Sequence, residues 1–219
     1  MKVPPTASTP SSKRRYDSQG RQEEALARRR RILEEAHRLF LADGYGATSL
    51  DGIARAARVS VQTLYAAFTS KAGVLASVID VAIGGDDEDV LVRDRPEFRA
   101  IFEAASPQAF VRAAVRHGRL THERSGPIIH LLEEVAGTDP SLAELAAELR
   151  RQGREESGHI VDRLPREWWR PELSREERIT TLSLLGFQRT WWTLTQEQGW
   201  SARRYEDYVA KAMLRLLFA

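Results

Sequence analysis

Between Thr48 and Phe68 two apolar stripes lie so close together that one arrangement accommodates both: two short helices joined by a tight turn. Leu50, Ile53, Ala54 and Ala57 share one face of a helical repeat, Leu64 and Phe68 share another, and only Arg58-Val59-Ser60 separate the two segments. Thr48 or Ser49 can cap the first helix and Ser60 the second, because a short hydroxyl side chain accepts a free N–H of the first helical turn. With Leu64 and Phe68 turned inward, Gln62, Thr63, Tyr65 and Ala66 face out. A polar helix end after a tight turn is the geometry that enters the DNA major groove, although plain helical bundles also contain it.

Helical spacing runs through the rest of the chain without strand alternation of useful length, so the expected fold is all-α, with about nine or ten helices. Residues 1–21, rich in Pro, Ser, Thr and basic residues, are expected to form a mobile basic arm. A first helix starts near Gln22, buries Ile32, Ala36, Leu39 and Phe40, and ends at Asp43-Gly44, where glycine suits a left-handed cap. Thr69-Ser70 starts a fourth helix with Val74, Leu75, Val78 and Ile79 on its apolar side. Residues 22–70 thus form an expected three-helix helix-turn-helix domain, and residues 71–219 a larger helical domain.

Within the larger domain, Gly84 to Asp89 read as an exposed acidic loop. Ser106-Pro107 opens a helix, Gly126-Pro127 restarts the chain, and Asp139-Pro140-Ser141 opens a long helix to about Leu164. Pro165 and Pro171 bracket a break containing Trp168 and Trp169, a lid or surface anchor. Ser174 and Glu177 have capping-box spacing at the head of a long helix to about Gln198, and Ser201 caps the last helix.

The charge is unevenly divided. Met1 to Lys71 hold 13 Lys and Arg against 7 Asp and Glu, the remainder 20 against 24. A basic first third fits a polyanion, and a mildly acidic remainder fits a small molecule or another protein chain. Arg28 to Arg31 can equally lie on a solvated helix face. The absence of cysteine excludes disulfides, zinc ribbons and thiol catalysis and fits a reducing compartment. The N-terminal stretch lacks a signal peptide's apolar core, and no run approaches the ~20 apolar residues that span a bilayer. A cytoplasmic protein with no membrane partner is expected. Groupings for catalysis are missing: His117 and His122 lie off a common helical face, Glu133 and Glu134 are adjacent, and there is no phosphate-cradling glycine loop or nucleophile elbow. Neither an enzyme nor a metal or other cofactor is expected. A DNA-binding regulator remains, with a purely structural helical module as its rival.

From about Arg28 to Asp80 the sequence resembles the DNA-binding domain of the tetracycline-repressor (TetR) family. The resemblance rests on Phe40…Gly44-Tyr45, Ala47-Thr48-Ser49, Ile53-Ala54…Ala57, Val59-Ser60, Thr63-Leu64-Tyr65…Phe68 and Ser70-Lys71…Leu75. It implies that Thr48 or Ser49, Tyr65 and Lys71 hold phosphates while Val61, Gln62, Thr63 and Ala66 face base edges, with Ser60 beside them. Side-chain chemistry agrees for Gln62 with adenine and Val61 with a thymine methyl, though Val61 can also flank the core and Tyr65 can be half-buried. Arg58 stands where the family usually has glycine, which requires a left-handed non-glycine residue at about 1 kcal/mol or a slightly different turn; Arg58 could also meet a phosphate. Ala66-Ala67 replace larger residues that could read bases.

The resemblance further implies a regulator that binds a palindromic double-stranded operator as a homodimer, a repressor released by a small, largely apolar effector, with an activator or nucleoid-type binder as the alternative. Expected effector contacts are Phe102, Phe110, His117, His130, Gln188, Trp191 and Trp192, each of which can equally be core. The expected dimer face combines Tyr205, Val209, Ala212, Met213 and Leu216 of the last helix with the small-residue positions Ser183, Gly186 and Thr190; these stripes can also face the internal core.

Overall fold

A computed structural model describes the backbone of residues 12–219 except 88, 89 and 91, and side chains from residue 20. Among the described residues ten α-helices carry the fold: α1 (Ser12–Ala47), α2 (Leu50–Ala56), α3 (Val61–Ala67), α4 (Lys71–Gly84), α5 (Pro96–Arg99), α6 (Pro107–Val135), α7 (Pro140–Arg163), α8 (Arg175–Gly186), α9 (Gln188–Trp192) and α10 (Ala202–Leu217). The architecture is all-α, with no strand among the described residues beyond an isolated bridge between Trp169 and Phe218. No single helix there is long and apolar enough to cross a membrane. The bent pair α3 and α4 has the combined length and composition, but its Leu64, Val74, Leu75, Val78 and Ile79 are buried in the protein core.

Local chemistry sets most helix starts. Ser49, Ser60, Ser70, Ser106 and Ser201 each accept a backbone N–H from the first turn of the helix they precede, and Asp139 does so for α7. Ser174 and Glu177 form a reciprocal capping box at α8. Gly44, at φ 79° and ψ 163°, breaks α1 where the left-handed cap is expected. Of the expected arm, residues 1–11 lie outside the described residues, whereas residues 12–21 are already helical. Beyond Pro10 the chain meets no further proline before α2, and its Arg, Gln, Glu, Ala and Leu residues all favour helix.

Two cores organise the molecule. One joins Ile32, Phe40, Ile53, Leu64, Leu75 and Ile79 of α1–α4 to Ile128 and Leu132 of α6 and Leu142 of α7, so the apolar interior crosses the expected boundary at residues 70 and 71. The other packs α5, the first half of α6, the end of α7 and α8–α10 around Phe98, Phe110, Val161, Trp191, Tyr205 and Phe218. Trp169 belongs to this second core, stacked on Phe218 at 4.8 Å, and is neither lid nor surface anchor. Its backbone neighbours hold the C-terminus: Arg170 N–H donates to Leu217 O and Ala219 N–H to Trp168 O.

Three expectations fail for tertiary reasons. Pro127 restarts nothing, because α6 runs straight through it. An interior proline costs a helix about 3 kcal/mol. Burial of Ile128 and Trp191 beside it, each worth about 2 kcal/mol or more, outweighs that. The penultimate helix is broken at Phe187, whose extended backbone (φ −77°, ψ 149°) separates α8 from α9; α9 then widens into a π-helical turn, Thr193–Glu197. Finally, the acidic segment after α4 is pinned: Asp86 pairs with Arg95 at 2.7 Å and Asp87 with Arg29 at 3.0 Å. Glu88 and Asp89 lie outside the described residues.

Candidate nucleic-acid interface and inner cavity

The helix-turn-helix turn is built around Arg58, the one non-glycine residue with positive φ (55°) among the described residues. The glycine-like conformation is therefore kept without glycine, and the Arg58 side chain is exposed. Behind the turn, Ser60 Oγ accepts Thr63 N–H at 3.0 Å and lies 2.7 Å from Thr63 Oγ1, so α3 begins on a paired hydroxyl cap. Leu64 and Phe68 anchor α3 inward, leaving Gln62, Tyr65 and Ala66 exposed and Val61 and Thr63 half-buried. Arg55 on α2 is also exposed beside this surface; the sequence reading passed over it, although it stands one helical turn before Arg58.

The other expected phosphate groups are placed differently. Thr48 is buried, and its hydroxyl donates to Gly44 O at 2.8 Å and Leu39 O at 3.2 Å. Ser49 is exposed, with Oγ on Gly52 N–H. Lys71 Nζ donates to Tyr45 O at 2.8 Å and Thr48 O at 2.9 Å and lies 4.2 Å from the Tyr45 ring centroid; burial holds its pKa below the usual lysine value. Two of its three donors thus staple the α1–α2 connection to the first turn of α4.

The far half of α4 forms a wall of a cavity of about 930 Å³, together with the segment after α4, α6, α7, α8 and α10. Phe102, Phe110, His117 and Gln188 line it, as expected; His130, Trp191 and Trp192 do not. His130 stacks on Trp192 at 3.9 Å, and Trp191 is pressed against Gly126, where a Cβ would stand 2.4 Å from Cζ3 of the indole. Gln188 is buried and its Nε2 donates to Gly126 O at 3.2 Å. Burial lowers the pKa of both histidines of the wall, with Arg124 adding to it and Glu97 opposing it at His117, and takes His122 to about 4; His122 Nε2 donates to Gly186 O at 3.0 Å. Asp80, Phe98, Glu156 and Phe187 are lining residues the sequence reading missed. Glu156 carried a signal, since it lies on the same helical stripe as Leu149 and Ile160.

The expected dimer stripe is largely internal: Tyr205, Val209 and Met213 are buried in the chain's own core, because α10 packs them against α6 and α8. Ala212 is half-buried and Leu216 exposed. Ser183 bonds Ser157 at 3.0 Å, Met213 lies over Gly186, and the Thr190 hydroxyl donates to Leu184 O. The large apolar side chains at the surface of this region are Leu184, Tyr208 and Leu216.

Residues 32–78 match the family described as bacterial regulatory proteins, tetR family. Residues 32–78, from α1 into α4, are a tetR-family domain. The chain's fold is shared with solved structures of low sequence identity. One is a Saccharomonospora viridis protein described as a transcriptional regulator, in complex with choline (17% identity, 87% of this chain and 97% of that chain, TM-score 0.63). Another is NalD, the secondary repressor of the MexAB-OprM multidrug efflux pump of Pseudomonas aeruginosa (21%, 90% and 98%, TM-score 0.65). A third is a TetR transcriptional regulator of Chloroflexus aurantiacus (20%, 90% and 100%, TM-score 0.61). No curated protein sequence matches the chain significantly. A tetR-family domain at this position supports transcriptional regulation through DNA binding.

Proposed function

We propose that the chain is a cytoplasmic repressor that binds a palindromic operator as a homodimer and leaves it when a small molecule enters the inner cavity. The observation that carries this reading is the course of α4. Its first turn is stapled by Lys71 to the α1–α2 connection, and its second half, from Ser77 to Gly84, walls the cavity. A ligand that favours one position of α4 thereby favours one position of the head, by as much as its affinity differs between the two.

In the head, Gln62, Thr63, Val61 and Ala66 face base edges, and Ser49, Ser60, Tyr65 and Arg58 meet phosphates, with Arg55 added. Lys71 and Thr48 support the surface from behind, since their polar atoms are engaged internally. Two recognition helices must sit ~34 Å apart to enter successive major grooves on one DNA face, which requires a dimer. Its contact surface is the exposed Leu184, Tyr208 and Leu216 with Ala212. The NalD and choline-bound structures support the reading by fold.

The test is to select the operator from random duplexes and place it between a promoter and a reporter. Expression that falls when the protein is supplied supports a repressor; expression that rises identifies an activator and contradicts it.

A further inference from the structure

The cavity is rich in phenylalanine, but its polar groups are not balanced. Each arginine on its lining already has a partner: Arg29 with Asp87, Arg95 with Asp86, Arg151 with Glu148 and Glu155, and Arg93 with His159 at 3.2 Å. Two of the remaining polar groups are acceptors. Gln188 is 3% exposed, and with Nε2 on the Gly126 carbonyl its Oε1 is buried without a hydrogen-bond partner. Gly126 O can only accept, which fixes this orientation of the amide. Glu156 Oε1 is likewise buried without a partner, and Asp80 on the α4 wall forms no ion pair within 4.0 Å. Burial pushes the pKa of both carboxyls up; the charge of Arg29 opposes this in part at Asp80, and at Glu156 the charges of His159 and Arg93 do so while Asp94 adds to it.

A buried acceptor without a donor destabilises the fold and is repaired by a ligand that brings one. An anionic ligand would meet two carboxyls that Arg29, Arg93 and His159 offset only in part, beside guanidiniums already paired. A cation with N–H groups meets acceptors at Glu156 and Gln188, and the lining residues Phe98, Phe102, Phe110 and Phe187 surround its apolar body.

We propose that the effector is an organic cation bearing N–H donors, a protonated amine or amidinium on an aromatic or alkyl body, held by Glu156 and Gln188. This rests on the ligand-responsive reading above and names the class of ligand that the site selects.

Calorimetry on the full chain with phenylalkyl- and naphthylalkylamines tests it, alongside the alcohols, carboxylates and trimethylammonium derivatives of the same skeletons. The amines are expected to bind about ten-fold or more tighter than the alcohols and carboxylates, and tighter than the trimethylammonium compounds, which cannot donate to Gln188. Glu156→Gln, whose thermal melt is recorded in parallel, is expected to remove most of the preference of amine over alcohol. Carboxylates binding as well as amines, no amine binding, or an amine preference that survives E156Q overturns the proposal. The wild-type ranking decides even where the variant folds poorly. A separate DNA titration with the best amine distinguishes the two readings: an amine that binds by calorimetry and leaves operator affinity unchanged contradicts ligand release but upholds the site.

Discussion

Arg29 of α1 and Asp87, three residues beyond α4, are joined through Arg29 Nε, which donates to both carboxylate oxygens at 3.2 and 3.0 Å. The same guanidinium lies 4.9 Å from the Phe68 ring at the end of α3, and Arg29 and Asp87 both line the cavity. The pair therefore ties the head, the recognition helix and the cavity mouth to one cation. Asp87→Asn is expected to cost less than about 1 kcal/mol of stability, because Arg29 is 35% exposed. It is also expected to shrink the ligand-induced loss of operator affinity, read from DNA titrations with and without effector. An unchanged response would show that the pair is only a surface contact.

Gly126 is where α6 meets Trp191. With a Cβ at that position standing 2.4 Å from the indole, Gly126→Ala must displace the ring and disturb the Gln188 bond. The expected loss is about 1–3 kcal/mol, the usual cost of overpacking, accompanied by a change in tryptophan fluorescence. A melt indistinguishable from wild type would mean that the ring moves freely.

Arg58→Gly relieves a left-handed residue and is expected to raise stability by up to about 1 kcal/mol while weakening DNA binding and lowering its salt slope by about one. Denaturation and titrations at several salt concentrations separate the effects. Gain in stability without loss of affinity would leave Arg58 a turn residue only.

Acid should destabilise the protein through its buried histidines. His122 titrates near 6.5 when unfolded but near 4 when folded, so the unfolded chain binds more protons between those values. Stability is complete above about pH 6.5 and declines as pH falls toward 4, by on the order of 2 kcal/mol for this residue. His37 and His117 act in the same direction, whereas Asp80 and Glu156, with raised pKa values, favour the folded state at low pH. His122→Gln keeps a donor for Gly186 and should flatten the decline in thermal midpoint between about pH 7 and 5. A slope equal to wild type would exclude His122 as its source.

What could be read from the sequence is what neighbouring residues decide. Ser60 caps α3, Glu177 completes a capping box and Gly44 leaves the helix through bonds and torsions within a few residues. Pro127 and Phe187 went the other way because distant partners decide them: Trp191 packs on Gly126, Gln188 donates to its carbonyl, and Phe187 lies over Gly153. The same holds for side chains with two plausible fates. Lys71 was legible as a cation near a helix start, but its two internal carbonyls come from residues 23 and 26 positions away. Tyr205, Val209 and Met213 were legible as one stripe, and only packing against α6 and α8 shows which way the stripe faces.

The central claim is sequence-specific DNA binding by the surface around α3, and fluorescence anisotropy tests it most directly. The purified chain is titrated against its selected operator and a scrambled duplex at two salt concentrations, with Gln62→Ala beside the wild type. A preference for the operator that persists at higher salt, and that Gln62→Ala reduces by about 1–3 kcal/mol, is the predicted result. Equal binding to both duplexes that disappears with salt would contradict it, leaving a basic head that attracts any polyanion.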